Sequence, residues 1–179
     1  MSDDSNQVFA ITQVNIRFIA EQDRLLFSMN TVDKNQFQFY FTRRWTKLFW
    51  QFLTKILEAE IPNASFDTNS KDAAVAFQHE AAMADADYET PFEEEGVNHP
   101  WGDEPLIATE VRLREPPMES PSIGIYNTKG VGLEFACGHK ILHYFYQVLP
   151  DAVVRAEWDL ILPHTELATI GPIDSSKLN

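Results

Sequence analysis

The apolar pattern of this 179-residue chain is written twice, and that constrains its fold more than any other feature. Three strand-like runs come first. Val14, Ile16, Phe18 and Ala20 alternate with Asn15, Arg17 and Ile19. Leu25, Phe27 and Met29 alternate with Arg24, Leu26 and Ser28, and Phe37, Phe39 and Phe41 alternate with Gln36, Gln38 and Tyr40. A period of two marks a strand with one face buried. Polar turns at Glu21–Asp23 and Thr31–Asn35 join the runs, which predicts an antiparallel meander with one oily and one polar face. Thr42 then stands at an N-cap position, and Trp45, Leu48, Phe49, Phe52, Leu53 and Ile56 follow at the three/four spacing of a helix face. Trp50 and Leu57 widen that stripe, so the spacing predicts an aromatic-rich helix over Thr42–Leu57 lying on the phenylalanine face of the sheet.

The same order returns from about Leu106. Ile107, Thr109, Val111 and Leu113 alternate with Ala108, Glu110 and Arg112, which reads as one strand. Pro116, Pro117 and Pro121 force an extended connection. Ile123 and Ile125 form a short strand, Asn127–Gly130 a tight turn, and Val131, Leu133 and Phe135 close a second meander. Ile141, Leu142, Phe145, Val148 and Leu149 then line a helix over His139–Leu149, where Pro150 kinks it or begins a new turn. Residues 152–158 fit a helical continuation, and Trp158–Leu162 a last strand. Two short matches carry the echo between the halves. They are Phe39-Tyr-Phe41 against Leu133-Glu-Phe135, and Trp50-Gln-Phe-Leu53 against Tyr146-Gln-Val-Leu149.

The expected fold is therefore α+β: two antiparallel β-meander-plus-helix units, a pseudo-repeat, packed into one compact domain. The units span 1–62 and 106–179. Between them, 63–105 is an acidic helix and linker, with an alanine-rich helix from Asp67 to about Ala86 and a Pro/Gly/Glu-rich loop from Tyr88 to Pro105.

Charge follows the same division. The chain carries 14 Lys+Arg against 27 Asp+Glu, a formal net charge of −13. Residues 61–110 hold 1 of those basic residues and 12 of the acidic ones, so both flanking halves are close to neutral. Such a surface repels nucleic-acid phosphate and anionic lipid as a whole. No apolar run approaches the roughly 20 residues of a membrane span. The acidic N-terminus is unlike a leader, and the single cysteine, Cys137, excludes an internal disulfide. A cytoplasmic location is the simplest expectation.

Few residues suggest chemistry. Cys137 stands where a strand meets a helix N-terminus, with His139 and His143 near it, a place where a thiol gains nucleophilicity. It lacks an acidic orienting residue at a fixed spacing, and a lone cysteine more commonly packs as a small apolar residue. His139 and His143 are four apart, as in helical zinc sites, but His-Lys-Ile-Leu-His lacks the catalytic glutamate, and no metal or cofactor is expected. Arg43, Arg44 and Trp45, with Lys47, form the only compact basic cluster. Together with Asn15, Arg17, Arg24, Gln36, Gln38 and Tyr40 of the polar sheet face they outline a surface for single-stranded nucleic acid, with Tyr40 its one stacking platform. The acidic middle segment competes for the cations, and pairing of the arginines with it in cis is the simpler expectation.

The strings Glu21-Gln-Asp-Arg-Leu-Leu26, Phe41-Thr-Arg-Arg44, Tyr88-Glu-Thr-Pro-Phe92 and Ala156-Glu-Trp-Asp-Leu160 resemble, along most of the chain, small uncharacterised bacterial proteins. The resemblance implies a bacterial source and no activity.

The leading expectation is a non-enzymatic module that assembles with itself or with another protein. Its motivation is aromatic surface in excess of one helix face, at Trp45, Phe49, Trp50 and Phe52, and its expected interaction residues are Arg43, Arg44, Trp45, Phe49, Trp50 and Tyr40. The alternatives are a single-stranded nucleic-acid binder, an acidic nucleic-acid mimic using residues 85–104, and a thiol-dependent enzyme at Cys137.

Overall fold

A computed structural model describes residues 8–59, 90–114 and 122–162. The fold is α+β, with two four-stranded sheets and two long helices among these residues. In chain order the elements are β1 (Val8–Phe9), β2 (Ile11–Ile19), β3 (Arg24–Thr31), β4 (Gln36–Phe41), α1 (Arg43–Ala59), β5 (Leu106–Ile107), β6 (Glu110–Arg114), β7 (Ser122–Tyr126), β8 (Gly132–Ala136) and α2 (His139–Arg155). The first sheet has the order β2-β3-β4-β5 and the second β1-β8-β7-β6. Each contains an antiparallel meander where the period-two patterns place one.

Each meander is completed by a two-residue parallel strand from the other half of the chain. β1 pairs with β8, and β5 pairs with β4. The expected single strand Ile107–Leu113 is therefore two strands in two sheets. The change happens within one peptide: Ala108 N–H donates to Tyr40 O in the first sheet at 3.0 Å, and Thr109 N–H donates to Tyr126 O in the second at 2.9 Å. Ala10 marks the matching crossing between β1 and β2, and its carbonyl accepts from Val32 N–H at 3.1 Å. Registers differ between the two sheets. Inward-facing Phe39 pairs with Leu106, whereas the parallel pairing of β8 begins at Glu134, between inward-facing Leu133 and Phe135. The strand order thus does not establish a residue-by-residue repeat.

The helices obey the expected stripe. Thr42 caps α1, its Oγ1 accepting from Trp45 N–H at 3.2 Å. α2 runs unbroken past Pro150 to Arg155, longer than the expected His139–Leu149. The two helices meet face to face. Trp50 stacks on Tyr146 with ring centroids 4.5 Å apart, and Phe49 meets Phe145 edge-on at 5.7 Å. Phe145 also touches Phe27 of β3 at 5.5 Å and Phe135 of β8 at 6.1 Å, so one ring joins both sheets and both helices. Trp158–Leu162 is not a strand; it packs back on the body, with Trp158 edge-on to Phe18 and Leu162 buried. The expected helix Asp67–Ala86, the proline connection at 116–121 and the tail from 163 lie outside the described residues.

Candidate functional site

The aromatic cluster expected to form an interface is core. Phe49 is fully buried, and Trp45 and Trp50 are buried beside it. The surplus read from the sequence is consumed by a second partner surface: Trp45 packs on Phe41 at 4.1 Å while Trp50 faces α2. Of the α1 stripe only Leu48 departs, at 50% exposed. Arg43 serves a clasp. Its Nε and Nη2 donate to the Asp23 carboxylate at 3.1 Å each, and Trp158 Nε1–H donates to the same carboxylate at 2.6 Å. Asp23 has left-handed backbone geometry (φ 50°) at the turn before β3. The Trp158 hydrogen bond first, and then Arg43, hold its carboxyl below the ordinary aspartate range. The carboxylate thereby ties the β2–β3 turn to the start of α1 and the end of α2. Arg44 is exposed beside this clasp.

The expected chemistry residues are dispersed. Cys137 is buried in the core, which removes the accessible thiol that a nucleophile requires. His143 is buried and His139 exposed, with ring centroids 4.2 Å apart. Among the described residues no group of three or more His, Cys, Asp or Glu is placed to hold a metal ion.

The polar face of the first sheet is where side chains converge. Register aligns them in rows: Gln13, Asn30 and Gln36; then Asn15, Ser28 and Gln38; then Arg17, Leu26 and Tyr40. Across the first row lies the acidic segment. Gln13 Nε2 donates to Pro91 O at 3.0 Å, and Gln13 Oε1 accepts from Glu93 N–H at 3.0 Å. One side-chain amide thus mimics the donor–acceptor pair of a neighbouring strand. Asn30 Nδ2 donates to Glu93 O at 2.8 Å and to Gln13 Oε1 at 3.1 Å. Gln36 Nε2 donates to Asn30 Oδ1 at 3.0 Å, with Glu93 O a longer second acceptor at 3.4 Å. Asn30 is 3% and Gln36 5% exposed, so their amides would lose hydrogen-bond partners without this chain above them. Every one of these contacts with the segment goes to its backbone. Its carboxylates point outward, and Arg17 reaches Glu94 only at 3.7 Å, both side chains more than half exposed.

The second and third rows carry further polar side chains at their edges, around buried Ser28 and Leu26. Gln38 Nε2 donates to Ser28 Oγ at 3.1 Å, and Asn15 and Gln38 are half-buried. Tyr40 accepts from Gln22 Nε2 at 3.3 Å, and the Arg24 guanidinium lies 5.6 Å from its ring centre. The sequence pointed to Asn15, Arg17, Arg24, Gln36, Gln38 and Tyr40 of this face but not to Gln13 or Asn30, nor to what covers the first row. Two runs of alternating amides, at Gln13/Asn15 and Gln36/Gln38, were the available signal.

The second sheet carries its own polar face. Buried Glu134 accepts from Ser122 Oγ at 2.6 Å and pairs with Arg114 Nε at 3.3 Å. Arg112 pairs with Glu110 at 2.7 Å and lies 4.3 Å over the Tyr126 ring. That ring occupies the space where Gly124 and Gly132 lack a Cβ. Arginines and acids here satisfy one another within the sheet. In comparison with protein-family models, curated proteins and solved structures, no match to this chain was found.

Proposed function

We propose that the protein is a non-enzymatic interaction module, and that it engages another polypeptide on the polar face of the first sheet rather than through its aromatic helix. The observation that carries this reading is the Gln13–Asn30–Gln36 row, which grips a passing main chain through its peptide groups and ignores its side chains. A grip of that kind resembles strand addition, where main-chain hydrogen bonds supply affinity and side-chain pockets supply selectivity. At the edges of the second and third rows, Asn15, Gln38, Arg17 and Tyr40 offer further donors and acceptors. Single-stranded nucleic acid suits this face less well. The segment above it presents Glu93, Glu94 and Glu95, and Tyr40 already has Arg24 near its ring.

A photo-crosslinking side chain placed at Gln38, compared with one at Lys129 on the β7–β8 turn, tests the reading in cells of the native host. Adducts to a defined polypeptide, or to a second copy of the chain, are expected at Gln38 and not at Lys129. Equal adducts at both positions, or none at Gln38 together with a strict monomer by light scattering, would overturn it.

A further inference from the structure

Resting on that reading, we infer the partner's chemistry: the polar face receives an extended acidic segment, and Thr90–Glu95 of this chain is its stand-in, held in cis. Three observations converge. The segment is gripped through Pro91 and Glu93 by side chains from three different strands, so its seat is a formed site rather than a turn closing on itself. The rows that extend the seat carry Arg17 and no carboxylate, and Arg24 stands one step beyond them opposite Ile19, which favours a ligand bearing negative charge.

The third observation is that the occupant's side chains contribute little to the seat. Pro91, Glu93, Glu94 and Glu95 are exposed, Phe92 alone is half-buried, and the one ion pair to the face is long and solvated. Its hold rests mainly on peptide-group hydrogen bonds, two of them at exposed positions, which another extended chain can supply. Asn30 and Gln36 remain buried polar groups whichever chain lies above them, so a trans segment with the same backbone conformation satisfies them equally.

A tethered occupant competes at the effective concentration set by its tether. A face that is open one-tenth of the time shows about tenfold weaker apparent affinity than a face always open. The test uses the full chain and a fluorescent peptide of residues 90–96, read by anisotropy. A Glu93→Pro variant, which removes the N–H that Gln13 Oε1 accepts and so releases the cis segment, should bind the peptide about tenfold more tightly than the unmodified chain. Adding Gln13→Glu to that variant, which keeps the acceptor and removes the donor to Pro91 O, should abolish the gain. Arg17→Glu should weaken binding, and a peptide with glutamines in place of its three glutamates should bind less well than the acidic one.

Equal affinity in the unmodified chain and the Glu93→Pro variant overturns the inference. So does indifference to Gln13→Glu, indifference to peptide charge, or displacement of the peptide by single-stranded oligonucleotide in preference to acidic peptide. An unchanged circular dichroism spectrum guards against misfolding. If no peptide binds while Gln38 still crosslinks to another polypeptide, the partner class proposed here falls and the interaction module stands.

Discussion

At the scale of single residues, Phe145 and Asp23 show how few side chains join the parts. Phe145 contacts rings from β3, α1 and β8. Phe145→Ala should leave a void where four elements meet and cost about 3–5 kcal/mol, read from the urea midpoint. Asp23 acts through charge. Its carboxyl is held below its ordinary value by Trp158 and Arg43, so the folded state favours the ionised form. The stabilisation is complete above the ordinary aspartate range near pH ~4 and is lost as pH falls through the lowered value. Asp23→Asn should therefore destabilise the protein at pH ~7 and progressively less as the pH is lowered below the ordinary aspartate range, with the midpoints measured in one buffer series. Glu110 moves in the same direction because Arg112 holds it ionised, and it contributes to the same acid-side slope.

At the scale of elements, Thr42 and the crossing at Ala108 make contrasting cases. Thr42→Ala removes the acceptor for Trp45 N–H and should cost about 1 kcal/mol in the same urea assay, because it leaves a helix N-terminal amide unpaired. This cap was legible in the sequence, as were the six meander strands and both helices, since each has a period long enough to recognise. The crossings were not. β1 and β5 have two residues each, too few for a period, and the alanines at 10 and 108 carry no signal that successive amides will serve different sheets. The aromatic stripe of α1 was legible as buried surface but not as core. A single sequence shows that Trp50 needs a partner and does not say that Tyr146 of the same chain supplies it. The seat of the acidic segment was hidden for a related reason: a grip on peptide groups leaves no complementary side-chain pattern in the gripped chain.

At the scale of the whole molecule, the shared core and the exchanged strands make the halves interdependent. Residues 1–105 alone would lack β5–β8 and α2, leaving Phe27, Phe49 and Trp50 without rings that pack on them. Such a fragment should be insoluble or lack a cooperative thermal transition, whereas the full chain should unfold in one step by both fluorescence and circular dichroism. Among the described residues no helix is long and apolar enough to cross a membrane.

The lent strands have a topological result that reaches past stability. Each half places a short ribbon in the other's sheet, so a single cut between α1 and β5 breaks a covalent link without removing either pairing. The two pieces should travel together through gel filtration in native buffer and part only in denaturant. Should they drift apart in native buffer, it is the intact backbone, and not the reciprocal ribbons, that keeps the halves as one body.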